Sequence, residues 1–141
     1  MMPQTSELKN LERTIVYIED NPTVKDVVVY GLKRFLGVNV VCVSTLEGFY
    51  QWHEQGKVAD LYISDGSFPR HPESCEEKCW EEVVRNVEKL SETHPTKGVV
   101  ITTGAPENPE AYQRHPIIRK VIAKPFGIMD LCSAIKDILA E

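Results

Sequence analysis

The chain lacks an excess of positive charge. Its 16 Lys and Arg stand against 21 Asp and Glu, for a formal net charge of −5. Nonspecific nucleic-acid binding is driven by neutralising phosphates, so this balance argues against a nucleic-acid partner. Long hydrophobic runs are missing too. None approaches the roughly 18 residues that would span a bilayer. The polar stretch Met1–Asn10 carries no apolar segment of the signal-peptide kind. Together these absences suggest a cytoplasmic protein with no membrane partner. Cysteine is sparse, with Cys42, Cys75, Cys79 and Cys132 as the full set, and reduced thiols are the default in that compartment. No internal repeat, low-complexity tract or Gly/Ser linker interrupts the chain. What is there is an ordinary globular balance, 42% hydrophobic and 26% charged over 141 residues. That is one domain, large enough to bury a core without a metal or disulfide staple.

The pattern alternates short apolar runs with segments of helical period, the signature of βα units and a parallel sheet. Five runs read as strands: Thr14 to Ile18, Val38 to Val43, Leu61 to Ser64, Val99 to Thr102 and Lys120 to Ala123. Most are almost continuously apolar, as strands covered on both faces are. The intervening segments read as helices. Pro22 opens the first, with Val24, Val27, Val28, Leu32 and Phe35 as its stripe. Ser44 and Glu47 have capping-box spacing ahead of the second, which Gly56 ends. Ser74 and Glu77 repeat that signal ahead of Trp80, Val83, Val84, Val87 and Leu90. Asn108-Pro109 begins a fourth helix that Pro116 cuts short. Ile128, Leu131, Ile135, Ile138 and Leu139 form the last stripe. The expected architecture is α/β: a (βα)5 doubly wound, five-stranded parallel sheet in three α/β/α layers. Residues 1–12 are a polar extension and 13–141 the domain.

In such a sheet, functional groups collect at the carboxyl ends of the strands. Glu19-Asp20 follow the first strand, Asp65 the third, Thr102-Thr103-Gly104 the fourth and Lys124-Pro125-Phe126 the fifth. Clustered carboxylates resist ionising together, and a divalent cation relieves that. Magnesium takes oxygen ligands and keeps positions open for phosphate oxygens. Lys124 adds a compact positive charge, Thr103 adds a hydroxyl, and a carboxylate at the centre can attack phosphorus. Phosphoryl transfer needs mainly alignment and charge neutralisation.

The stretches Ile15 to Pro22, Asp60 to Pro69, Val100 to Gly104 and Val121 to Phe126 together resemble the receiver domain of two-component response regulators, in its single-domain, CheY-like form. The resemblance runs from about Arg13 to Leu139. It implies a flavodoxin-like fold and a Mg2+-dependent phosphoacceptor, not a turnover enzyme, that hydrolyses its own phosphoryl group slowly. Asp65 matches the aspartate phosphorylated by a histidine kinase or histidine phosphotransfer protein. Glu19 and Asp20 match the acidic pair that holds magnesium. Ser67 would offer its backbone carbonyl to the metal. Thr103 matches the switch hydroxyl, and Lys124 the phosphate-pairing lysine, with a cis bond to Pro125. Thr102 competes for the switch role: spacing to Lys124 favours it, whereas the small residue Gly104 after Thr103 favours Thr103. Strand alternation turns only one of the two toward the cleft. Signalling would proceed by docking on a downstream protein target, as a monomer or weak homodimer. Small residues at Ser67 and Ala105 would leave attacking water an open path.

The chain departs from the family at three places. Val121 stands where a switch aromatic usually sits, Pro116 distorts the fourth helix, and Arg70 to Lys97 is longer than usual, lengthening the third helix or the loop before it. Val121 and Pro116 favour an alternative, a degenerate receiver that binds proteins without phosphate. A phosphatase of the haloacid dehalogenase type would want a second acid two residues after the nucleophile, where Ser67 stands instead. His71, Cys75 and Cys79 recur at four-residue intervals, one face of a helix; lacking a fourth ligand, they read as thiols partly buried against the sheet and a histidine solvated in the loop. Cys42 and Cys132 read as core thiols, Trp52 and Trp80 as packing residues, His53 and His115 as surface residues, and Arg114, Arg119 and Lys120 as a solvated basic cluster.

Overall fold

A computed structural model describes residues 13–104 and 109–141. The polar extension 1–12, the Asn108 helix start and the Ala105 water path fall outside the described residues. The five apolar runs become one parallel sheet of order β2-β1-β3-β6-β7, built from β1 (Thr14–Ile18), β2 (Asn39–Val43), β3 (Leu61–Asp65), β6 (Val99–Thr103) and β7 (Ile118–Ala123). A separate two-stranded antiparallel pair, β4 (Phe68–Pro69) and β5 (Glu76–Glu77), lies between β3 and the third helix. Five helices cover the sheet: α1 (Pro22–Gly31), α2 (Leu46–Glu54), α3 (Trp80–Ser91), α4 (Pro109–Gln113) and α5 (Ile128–Leu139).

Strand alternation divides the core into two layers. Ile15, Tyr17, Ile63 and Val100 face α1 and α5, against Val28, Leu32, Leu131 and Ile135. Val16, Ile18, Tyr62 and Ile101 face the other side, against Phe49, Trp52, Trp80, Val83, Val87 and Tyr112. This is the expected three-layer α/β/α architecture, and both tryptophans are packing residues. The strand order reverses between β1 and β3, so their carboxyl ends flank the crevice where such folds place their chemistry.

Several local expectations are corrected. The α1 stripe differs from the expected one: Val27 is 53% and Phe35 49% exposed, while Leu36 is buried. The helix continues as a π-helical turn, Leu32–Leu36, that widens the spacing. Val28, Leu32 and Leu36 therefore point inward, and Phe35 rotates out. The cap of α2 is Thr45, whose hydroxyl accepts from Gly48 N at 2.9 Å; Ser44 instead accepts from Lys25 Nζ. Ser74 caps no helix. Its hydroxyl closes a turn with His71, and α3 starts only at Trp80. His71, Cys75 and Cys79 share no helix face: Cys75 is exposed, Cys79 is buried, and His71 pairs with Glu47 at 2.9 Å. Cys42 is exposed rather than a core thiol, because β2 is an edge strand with one neighbour. Cys132 is buried as expected. His115 is buried, its two ring nitrogens each 3.0 Å from a carboxylate, Glu81 and Glu88. His53 is half-buried, stacked on Tyr62. Sequence periodicity carries no signal for such cross-element partners. Arg114, Arg119 and Lys120 are exposed, as expected of a solvated cluster. Pro116 does end α4 early, at Gln113.

Candidate phosphoacceptor site

β1 delivers Glu19 and Asp20 into the crevice. Glu19 is 1% exposed, a carboxylate almost wholly removed from water. Such burial is tolerable only with hydrogen bonds or opposite charge. Lys124 Nζ donates to Glu19 Oε1 at 2.6 Å, and the Asn21 backbone N–H donates to its other oxygen at 3.3 Å. The Tyr17 hydroxyl approaches to 3.5 Å. The Asn21 side-chain oxygen accepts from the backbone N–H groups of Thr23 and Val24, so the same residue also caps α1 beside the site.

Asp65 ends β3. Lys124 Nζ, already bound to Glu19, also reaches Asp65 Oδ2 at 3.2 Å. Burial, and then the neighbouring Glu19 charge, push Asp65 up from 3.8 to about 7, with Lys124 pulling the other way. For Lys124, burial lowers the ammonium, but Glu19 and Asp65 outweigh it and leave the group raised. One cation thus serves two buried acids.

Thr103 is the hydroxyl that reaches this cleft. It lines a space of about 330 Å³ with Glu19, Asp20, Asp65, Ser67, Gly104 and Lys124. Thr102 follows Val100 toward the α1/α5 layer, is fully buried, and its Oγ1 has no hydrogen-bond partner among the described residues. Alternation therefore resolves the Thr102–Thr103 ambiguity in geometry. The backbone holds the parts together: Gly66 N donates to Thr102 O at 2.9 Å and Lys124 N to Thr103 O at 2.8 Å. Sequence pattern does not single out Gly66, yet a Cβ there would lie 2.8 Å from Thr103 Oγ1. Only glycine lets Thr103 come so close. The Lys124-Pro125 bond is cis.

The structure therefore brings together Glu19, Asp20, Asp65, Ser67, Thr103 and Lys124. It adds Glu76 and Lys78, which line the same space. The neighbouring Asp20 carboxylate pushes Glu76 up from its ordinary value. Both belong to the lengthened segment, whose extra residues form the β4–β5 pair rather than additional helix. Oxygens of Glu19, Asp20 and Asp65 lie within 4.8 Å of one another. All are hard donors, and octahedral ligands at about 2.1 Å from a shared magnesium stand roughly 3–4 Å apart. The donor set fits that ion.

Among solved structures, the chain is similar to a signal receiver domain of a two-component histidine kinase from Clostridium thermocellum, with 20% identity, a TM-score of 0.73, and coverage of 92% of this chain and 99% of that one. A CheY-like response regulator receiver domain protein from Methanospirillum hungatei JF-1 gives 20% identity and a TM-score of 0.72 over 91% of this chain and 94% of that one. This is the receiver-domain fold. A further receiver domain protein from Clostridium thermocellum matches at 22% identity and TM-score 0.69, covering 91% of this chain and 94% of that one. No family model and no curated protein matches the chain. The receiver-domain topology puts β1, β3, β6 and β7 ends around one crevice, and each candidate residue sits at one of those ends. Val121, where the switch aromatic is expected, lies in β7, partly buried against the α2–α4 layer. Among the described residues no helix is long and apolar enough to cross a membrane.

Proposed function

We propose that the chain is a Mg2+-dependent phosphoacceptor of two-component signalling, accepting a phosphoryl group on Asp65 from a phosphohistidine of a histidine kinase or phosphotransfer protein. The observation that carries this reading is Lys124, whose ammonium bridges Glu19 at 2.6 Å and Asp65 at 3.2 Å inside the cleft that Thr103 lines. Asp20 and Asp65 would hold the cation directly, Glu19 through water, and Ser67 through its backbone carbonyl. When bound, the ion neutralises these carboxylates and takes phosphoryl oxygens. The chain's own residues do the rest. An ionised Asp65 oxygen attacks phosphorus and the P–N bond breaks; its electron pair stays on the ring nitrogen, and the donor imidazole, whose other nitrogen already carries a proton, leaves neutral. Lys124 then pairs with the phosphoryl oxygens, and the Thr103 hydroxyl donates to one of them. Water later hydrolyses the acyl phosphate, so the protein is a slowly self-resetting acceptor rather than a turnover enzyme.

The test is intact mass after incubation with acetyl phosphate, with and without magnesium. One phosphoryl group should be gained by the wild type in magnesium only, and none by Asp65→Asn. Labelling of Asp65→Asn would overturn the assignment. Val121 favours a second reading, a phosphate-independent binding module, since a valine cannot swing between buried and exposed positions as a ring can. On that reading Asp65→Asn binds its protein partner as tightly as the wild type does.

A further inference from the structure

Tyr17 lies on β1 two residues before Glu19, so alternation carries both side chains to one face. Tyr17 is wholly buried there, in the layer of Ile15, Ile63, Val100 and Leu131. Phenylalanine would fill the same space with no polar atom to satisfy, whereas a buried hydroxyl costs free energy unless it is hydrogen-bonded. The partner of this hydroxyl is a carboxylate oxygen, Glu19 Oε1, at 3.5 Å. Burial, and then the Glu19 and Asp65 charges, push the phenol up from its ordinary value, so it keeps its proton and stays a donor. Lys124 Nζ holds the same oxygen much closer, at 2.6 Å.

We propose that Tyr17 is a positioning residue of the phosphoacceptor site, the donor that takes over Glu19 Oε1 when Lys124 turns to the phosphoryl group. In the proposed function, on which this role rests, the Lys124 ammonium moves from Glu19 and Asp65 to phosphoryl oxygens. Glu19 is 1% exposed, so it cannot exchange that cation for bulk water. A buried carboxylate left uncompensated either holds the lysine back or takes up a proton. Either response weakens the site. A retained Lys124 leaves the phosphoryl charge unanswered, and a protonated Glu19 no longer contributes its charge to the cation site. The Asn21 N–H serves the other Glu19 oxygen, at 3.3 Å, which leaves Oε1 to the phenol. Closing the gap from 3.5 Å to an ordinary O–H···O length takes less than about 1 Å, within reach of a small rotation of the Glu19 carboxylate. Tyr62 is the contrast. Its phenol is buried in the other layer, accepts from Ala59 N at 3.1 Å and does not line the cleft.

The experiment uses protein labelled with tyrosine carrying 13C at Cζ, whose shift reports how strongly the phenol donates. Tyr17 is the resonance lost in Tyr17→Phe. Spectra are compared in chelator, in Mg2+, and in Mg2+ with beryllofluoride, a phosphoryl mimic whose binding is read from its 19F signal. The mimic should move the Tyr17 resonance downfield. In chelator, Lys124→Ala should move it the same way, because both changes free Glu19 Oε1 from the lysine. Labelling by acetyl phosphate in magnesium should be about tenfold slower in Tyr17→Phe, and within about twofold of the wild type in Tyr62→Phe. A Tyr17 resonance left in place by the bound mimic, or by folded Lys124→Ala, overturns the proposal. So does Tyr17→Phe labelling as fast as Tyr62→Phe while the wild type is labelled, an outcome that removes the role of Tyr17 alone. If the wild type neither binds the mimic nor gains a phosphoryl group, the phosphoacceptor reading falls and the role of Tyr17 with it.

Discussion

Asp65 is a buried carboxyl at the end of β3, shared with Glu19 by one ammonium. In the metal-free protein its carboxyl is raised from 3.8 to about 7 by burial and by Glu19. Between those values the folded chain binds more protons than the unfolded chain. The contribution to stability is therefore complete below about pH 4 and is lost as the pH rises through about 7. At pH 8 the ionised Asp65 costs stability that the neutral Asp65→Asn does not, on the order of a few kcal/mol. Thermal melts in a chelator should show Asp65→Asn exceeding the wild type at pH 8, with the gap mostly closed at pH 5. An equal gap at both pH values would mean that Asp65 ionises as freely folded as unfolded. The same physics explains why the nucleophile would depend on a cation: an acid held protonated near neutrality attacks phosphorus poorly, and nearby positive charge restores its ionised form.

The contact between α1 and α5 turns on one glycine. A Cβ on Gly31 would fall 2.5 Å from Ile128 Cγ1 and 2.7 Å from its Cδ1. The helices pack this closely because position 31 has no side chain, which also sets which α1 residues face in. Gly31→Ala should cost about 1–3 kcal/mol by overpacking, despite the higher helix propensity of alanine. Adding Ile128→Ala removes both clashing atoms. Urea unfolding of the four-member cycle should therefore give a double variant less destabilised than the sum of the singles; strict additivity would place the strain elsewhere. At the other face, His115 ties the loop after α4 to α3 through Glu81 and Glu88 and stands edge-on to Trp80 at 6.0 Å. The short α4 is thus anchored by a buried polar cluster rather than by its own length.

The two apolar layers share only the sheet between them. Trp52 and Trp80 both lie in the α2–α4 layer, so tryptophan fluorescence reports that side, whereas far-UV circular dichroism reports helices on both. The five strands carry both layers at once, so neither can open without unpairing residues that bury the other. Urea transitions by the two probes should coincide, as for a single cooperative unit. A circular dichroism transition trailing the fluorescence would mean that the α1/α5 layer survives alone.

The sequence by itself determined the parts of the molecule that depend on chain-local chemistry. Continuous apolar runs specify buried parallel strands, prolines open α1 and truncate α4, and polar residues just past each run specify which atoms reach the crevice. Glu19, Asp20, Asp65 and Lys124 were legible for that reason. Alternation along β6 limited the switch hydroxyl to one of two threonines, but which one faces the cleft depends on which layer Val99 and Val100 each join. Only the tertiary structure decided this, because the two faces of a strand are equivalent until helices cover them. It likewise decided that Gly66 makes room for Thr103, that His115 is a buried partner of α3, and that Phe35 turns out through a π-helical turn. Above all it decided where Glu76 lies. Nothing local distinguishes Glu76 from Glu77; β5 pairs with β4, Arg70 grips Glu77, and Glu76 lines the cleft.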